Sequence, residues 1–303
     1  MSAMYPIVAV TGSSGAGTTT VKSILQRILR RDQFRAAFVE GDSFHRYNRA
    51  EMKQLVAESQ AQGRNLSHFG TEANLFEELE HLFREYGERG TGRYRHYIHN
   101  QEESLLYGSP PGTFTEWEAF EPGTDLLFYE GLHGAVKTDT VNVGQHVDLL
   151  VGVTPIINLE WIQKIHRDTS ERGQERENVT ETILRRLPDY INYIAPQFTY
   201  TDINFQRVPT VDTSNPFIAR EIPTLDESLV VVRFRNPKKF HVDFPYLLAM
   251  IPGSFMSRRN SIVIPGSKMG LALEIILQPL IERLVLRARE FRRVELQEEV
   301  LSD

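Results

Sequence analysis

Residues 5–10, YPIVAV, form a short apolar run that gives way at once to the glycine-rich TGSSGAGTTT, which predicts a strand followed by a loop. From Thr18 to Arg31 the apolar residues Val21, Ile24, Leu25 and Ile28 recur at i, i+3, i+4 and i+7, the apolar stripe of a helix. A second strand, AAFVE, ends at Glu40. This strand, loop, helix, strand unit predicts parallel strands joined by a right-handed crossover, with the ligand edge at their carboxyl ends. Between Arg49 and Gly123 the chain turns polar, with helical stretches AEMKQLVAESQ and EANLFEELEHLFREYGE and the loop GSPPGTF, and reads as an elaboration over the sheet edge. Strand signals return at DLLFYE (125–130) and HVDLLVGV (146–153), nearly continuous apolar runs of the kind buried parallel strands require. Helical patterns follow from Asn158 to Glu171 and from Asn178 to Ile194. Beyond Gln206 the runs VPTVDT, SLVVVRFR and NSIVIPG predict an antiparallel extension of the sheet. A last helix starts near Ser267 and runs into a charged tail, 291–303, expected to fray. The pattern predicts one α/β domain: a core of residues 1–48 and 124–200, an insertion at 49–123, and a C-terminal β extension and helix at 206–290.

Composition narrows the function classes. With 41% hydrophobic and 24% charged residues, the 303-residue chain has material for a large core and is not a disordered sequence. Its 34 basic and 40 acidic residues give a net charge of −6, which argues against a nucleic-acid or membrane-surface binder but leaves room for a local basic site that takes an anionic metabolite. No apolar run is long enough to span a membrane, and the start lacks the pattern of a signal peptide, so a cytoplasmic location is expected. The absence of cysteine excludes disulfides, thiolate nucleophiles, Cys-ligated metals and thiol switches.

Candidate chemistry begins in the glycine-rich loop. Gly12, Ser13, Ser14, Gly15, Ala16, Gly17, Thr18, Thr19 and Thr20 follow the spacing G-x-x-x-x-G-K-[ST], except that Thr18 stands in the lysine position. Backbone N–H groups and a helix N-terminus still converge on phosphate oxygens there, and Thr19 stands where a hydroxyl ligates Mg²⁺. The missing cation must come from elsewhere in the chain. Asp42, just past the second strand, suits a base for a hydroxyl attacking a γ-phosphoryl group, a Mg²⁺ ligand, or a helix N-cap. Glu130 ends a buried strand, as a Walker-B type carboxylate does, with a cap of the next segment as the weaker reading.

Lys164, Arg167, Asp168 and Arg172 project from one helix face at about 100° per residue, with His166 pointing away. This suits a lid that clamps phosphate oxygens, but on spacing alone a solvated face with a Lys164–Asp168 pair is the stronger reading. His96 and His99 lack a third ligand for a metal and read as surface or substrate contacts. Arg27, Arg30, Arg31 and Arg35 gather at the end of the first helix, where its dipole favours cations, with an anion-effector site as the sharper alternative.

Taken together, GSSGAGTTT, EGDSFHRYNR, RHYIHN, LLFYEGLHGAV, INLEWIQKIHRD, QFTYTDINFQRVPTVDTSNPFIAR, VVRFRNP and FPYLLAMI resemble phosphoribulokinases of the bacterial type over nearly the entire chain. That family also has a non-lysine residue in its phosphate loop. The resemblance implies a P-loop nucleoside-kinase-like mixed β-sheet flanked by helices, with an antiparallel C-terminal extension. It implies transfer of the γ-phosphoryl group of ATP to the 1-hydroxyl of D-ribulose 5-phosphate, for the Calvin–Benson cycle of carbon fixation. By position, residues 12–20 would bind ATP, Thr19 and Glu130 would hold Mg²⁺, and Asp42 would be the general base. Lys164 and Arg167 would stabilise the moving phosphoryl charge, with Asp168 a second carboxylate nearby. Which of Asp42 and Asp168 takes the proton stays open. His45, Arg49, Tyr97, His99 and Arg172 would bind the sugar phosphate.

The resemblance further implies an octamer activated by NADH and inhibited by AMP, with Arg31, Arg185, Arg186, Arg233 and Arg258 as effector or intersubunit candidates. Photosynthetic eukaryote and cyanobacterial relatives use a thioredoxin-controlled cysteine pair, which a chain without cysteine cannot. A uridine or pantothenate kinase is the nearest rival, but those families keep the loop lysine. A regulatory protein that has lost catalysis is a rival of another class, against which Asp42, Glu130, Lys164 and Asp168 stand together.

Overall fold

The computed structural model describes residues 4–12 and 18–302. Its elements are β1 (Ile7–Thr11), α1 (Thr18–Arg31), β2 (Ala36–Glu40), α2 (Arg49–Ala61), α3 (Phe76–Arg89), β3 (Arg93–Tyr94), α4 (Gln101–Tyr107) and β4 (Glu118–Ala119). They continue through β5 (Leu126–Gly131), β6 (Leu149–Pro155), α5 (Ile157–Ser170), α6 (Arg176–Asp189), β7 (Ile203–Pro209), β8 (Ser228–Phe234), α7 (Phe244–Met250), β9 (Phe255–Arg258), β10 (Ser261–Pro265) and α8 (Met269–Ser302). The main sheet has eight strands in the order β2-β5-β1-β6-β7-β8-β10-β9. Strands β2, β5, β1, β6 and β7 run parallel, and β8, β10 and β9 extend the sheet antiparallel. The chain is thus a mixed sheet flanked by helices.

The parallel strands are buried on both faces, which is why they read as unbroken apolar runs. On one face Val8, Val10, Leu126 and Phe128 meet Val21, Leu25 and Ile28 of α1 and Leu273 and Leu277 of α8. On the other, Ile7, Ala9, Leu127 and Tyr129 meet Leu79, Phe83 and Tyr86 of α3. That second cluster corrects the reading of residues 49–123 as an elaboration at the edge: α3 carries an apolar stripe of its own and covers a sheet face.

Two further expectations shift. The antiparallel extension starts at β8 and not at VPTVDT, because β7 begins earlier, at Ile203, and pairs parallel with β6. Alternation of buried Ile203 and Phe205 with half-buried Asn204 and Gln206 hides it among polar residues. The final helix also continues to Ser302, through the stretch expected to fray. Its anchor is Asp125 at the foot of β5, which accepts two 2.8 Å hydrogen bonds from Arg289, a longer one from Arg292 and one from the Arg35 backbone. Asp125 is 6% exposed.

Burial alone would raise the Asp125 pKa, but the Arg289 and Arg35 hydrogen bonds and the charges of Arg289 and Arg292 bring it below its ordinary value of 3.8. A depressed carboxylate stabilises the fold above its unfolded pKa and loses that contribution as pH falls through the folded one. Asp125→Ala should therefore lower the unfolding free energy by about 3 kcal/mol at pH 7 in urea denaturation. The deficit relative to wild type should shrink below about pH 3.8.

Candidate functional site

The carboxyl ends of β1, β2 and β5 meet at one edge. Val10 lies level with Glu130, and Glu130 level with Glu40. The backbone N–H of Gly12, at the start of the phosphate loop, donates to Gly131 O at 3.2 Å. Ser13, Ser14, Gly15, Ala16 and Gly17 lie outside the described residues, as do the side chains of Thr18, Thr19 and Thr20, whose backbone opens α1. At this edge Lys22 of α1 pairs with Glu40. Gln197, 2% exposed, braces the edge from below: its Oε1 accepts from Thr11 Oγ1 and Ala135 N, and its Nε2 donates to Leu132 O and Tyr193 O.

Beyond β2 the chain makes a single tight turn, 41–44, that carries Asp42. The turn sits so close to β5 that a Cβ on Gly41 would lie 2.5 Å from the Tyr129 hydroxyl, so only glycine fits. Arg95 clamps the turn from the opposite side, with Nε on Ser43 O at 2.8 Å and an NH2 group on His45 O at 2.7 Å. Its guanidinium is itself held against the rings of Phe114 and Trp117. The Asp42 carboxylate is 3.3 Å from His45 Nε2 and 3.8 Å from His99 Nε2. Burial alone would raise its pKa, but the charge and hydrogen bond of His45 and the charge of His99 hold it well below the carboxylate range.

Across the cleft, Asp168 on α5 is 2% exposed and engages three cations. Lys164 Nζ reaches Oδ2 at 2.5 Å, while Arg167 and Arg172 share Oδ1 at 3.0 and 3.1 Å. Arg172 lies past the helix end and folds back to do so. Burial works against the ionised carboxyl, but Lys164 and the two arginines keep its pKa below the ordinary value. The i, i+4 pair expected of a solvated face is present, yet it faces inward.

These groups line one cleft of about 760 Å³. Its walls carry Asp42, His45, Arg49, Tyr97, His99, Lys164, Arg167, Asp168 and Arg172, so one cavity collects every catalytic and sugar-phosphate candidate read from the sequence. Five further charged or histidine side chains join them: Lys53, His68, Glu160, Arg185 and Arg186, the two arginines having been expected as effector or intersubunit contacts. Lys53 had a signal, since it follows Arg49 at i+4 on α2. His68 and Glu160 carried no local signal. The cleft holds seven lysines and arginines against three carboxylates, a positive site in a negative protein. His45 lines the cleft at 6% exposure, with Asp42 at one ring nitrogen and Asn74 at the other.

The five effector candidates do not form one site in the chain. Arg31 bonds Glu274 and Asp32 where α1 meets α8, while Arg185 and Arg186 belong to the cleft. Arg233 and Arg258 stand level with each other on either side of Ser261, at the antiparallel end of the sheet. Among the described residues no group of three or more His, Cys, Asp or Glu side chains is placed to hold a metal ion, and no helix is long and apolar enough to cross a membrane.

Known proteins share this arrangement. The model of the phosphoribulokinase / uridine kinase family matches residues 7–214. A phosphoribulokinase from Nitrobacter vulgaris is 63% identical over 94% of this chain and 98% of its own length. The chromosomal phosphoribulokinase of Cupriavidus necator is 60% identical over 95% and 99%. A solved phosphoribulokinase from Rhodobacter spheroides superposes with a TM-score of 0.87 at 55% identity, covering 95% of this chain and all of that one. On this fold, this cleft and these matches, the chain belongs to the phosphoribulokinase / uridine kinase family of ATP-dependent kinases.

Proposed function

We propose that this kinase moves the γ-phosphoryl group of MgATP to the 1-hydroxyl of D-ribulose 5-phosphate, giving the 1,5-bisphosphate for carbon fixation. The observation that carries this reading is the cleft in which an open Asp42 faces a cation-rich wall beside the phosphate-loop edge. A substrate with a fixed phosphate and a reacting hydroxyl matches that pairing, and uridine, the substrate of the rival reading, brings no phosphate to occupy the surplus charge.

Asp42 is the acceptor of the hydroxyl proton. Asp168 is a poor candidate for that task because three cations already occupy its oxygens. Its task is to keep Lys164, Arg167 and Arg172 side by side against their mutual repulsion. Lys164 and Arg167 then face the transferring phosphoryl oxygens and supply the charge absent at Thr18. Arg49, Tyr97, His99 and Arg172, with Lys53 and Arg186, hold the 5-phosphate end. Because a low-pKa carboxylate is ionised throughout the working range, Asp42 orients the hydroxyl first and takes its proton late in the transfer.

The carboxylate of Glu130 at the strand edge is a hard oxygen donor of the kind Mg²⁺ prefers, and with Thr19 it would hold the nucleotide's metal, which neutralises phosphate charge when bound. Residues 12–20 would bind ATP through backbone N–H groups. Regulation by NADH and AMP, and an octameric, cytoplasmic enzyme, complete the reading. Since Arg31 stands apart from Arg233 and Arg258 within one chain, an effector site that uses all of them would need neighbouring subunits.

ADP release from MgATP, measured with ribulose 5-phosphate, uridine or pantothenate and with or without NADH, should show turnover with ribulose 5-phosphate alone. Turnover with either other acceptor would overturn the substrate. Asp42→Asn should reduce kcat by about 10³-fold while ATP binding by calorimetry stays near wild type; near-normal turnover would remove Asp42 from its role. For Lys164→Met the expected loss in kcat is roughly 10²-fold or more, and unchanged kinetics would leave the missing loop lysine without a substitute.

A further inference from the structure

His45 lies between two hydrogen-bond acceptors. Its Nε2 is 3.3 Å from Asp42 Oδ1, and its Nδ1 is 2.8 Å from Asn74 Oδ1. The orientation of the Asn74 amide is fixed by its surroundings. Its Nδ2 donates to the carbonyls of His68 at 3.0 Å and Gly70 at 2.6 Å, so the nitrogen is committed and the oxygen must face the ring. Asn74 is 2% exposed, and its backbone bridges to that of His45. An ionised carboxylate only accepts hydrogen bonds. A neutral imidazole has a single N–H, so it would leave one of its two neighbours facing a lone pair; an imidazolium satisfies both.

We propose that Asn74 is a positioning residue for the phosphoryl transfer: by committing its oxygen to His45 Nδ1, it holds that ring as an imidazolium against Asp42. This rests on the reading of Asp42 as the hydroxyl acceptor. Asp42 thereby keeps a charged partner on one oxygen, while the other is turned toward His99. Asn74 touches neither substrate nor Asp42 and acts through His45.

The groups around His45 fit this assignment. His68 stacks on it with ring centroids 4.2 Å apart, and Tyr97 meets it edge-on at 6.4 Å. His68 and His133 stay neutral, each pushed down to about 3 by burial and then by the charge of His45. Burial and Arg186 of α6 oppose a charge on His45, but Asp42 and the Asn74 hydrogen bond prevail, and its pKa lies above the ordinary 6.5.

The test is a ¹H–¹⁵N long-range correlation titration of the histidine rings in the full-length protein, with His45 assigned by the signal lost in His45→Gln. Both His45 nitrogens should be protonated at pH 7.5 in the wild type. A neutral ring there overturns the proposal without recourse to any Asn74 variant. Asn74→Leu keeps the shape and removes the acceptor, so the His45 midpoint should fall by about one pH unit. The alkaline limb of kcat/KM for ribulose 5-phosphate should move with it. An unchanged midpoint in folded Asn74→Leu overturns the assignment. Retained turnover in Asp42→Asn overturns the reading beneath it, a failure visible without touching Asn74.

Discussion

Like charges confined to one cleft repel, and the arrangement of this molecule turns on how that repulsion is contained. Seven basic side chains line a single cavity, and three of them are gathered by one buried carboxylate, Asp168. A carboxylate that deep would cost several kcal/mol unless paired, and the cations would separate without it. Each side therefore makes the other tolerable. The outcome is a preformed field, aimed at whatever anion enters, that needs little reorganisation when phosphate arrives.

On the opposite wall the constraint is one of approach and not of charge. Asp42 can stand at the sheet edge because Gly41 lies against Tyr129 and Gly131, where a larger residue would collide with a hydroxyl that the buried core holds in place. Arg95 then closes the turn through two carbonyls. Asp42 and Asp168 thus sit in different surroundings: three cations engage Asp168, whereas Asp42 faces the histidines His45 and His99.

Much of this could be read from local pattern. The helix predicted at Thr18 to Arg31 has those bounds, and the strand ending at Glu40 does too, because each signal lies within a few residues and the core enforces it. Asp42 and Glu130 stood out as candidates because one lies just past a strand end and the other in the last residues of a strand, beside a glycine-rich loop. The inward face of α5 was not. Spacing placed Lys164, Arg167 and Asp168 together, but spacing says nothing about which side of a helix meets a cavity, and only the family resemblance favoured the right face. His68 and Glu160 left no trace, and Arg186 was read as an effector contact and not as a wall of the cleft, since each depends on partners far along the chain.

By itself the sequence determined the order of elements, the phosphate loop with its missing lysine, the acids at the strand ends and the exclusion of cysteine chemistry. All of these follow from residue type and short spacing. Only the tertiary structure decided that α3 covers a sheet face, that β7 joins the parallel set, and that the arginines expected as effector contacts lie in separate places. It alone brought His45 between Asp42 and Asn74, 29 residues away along the chain. The physical reason is common to all of them: protonation states, buried charges and sheet partners are set by neighbours in space, and long-range packing chooses those neighbours.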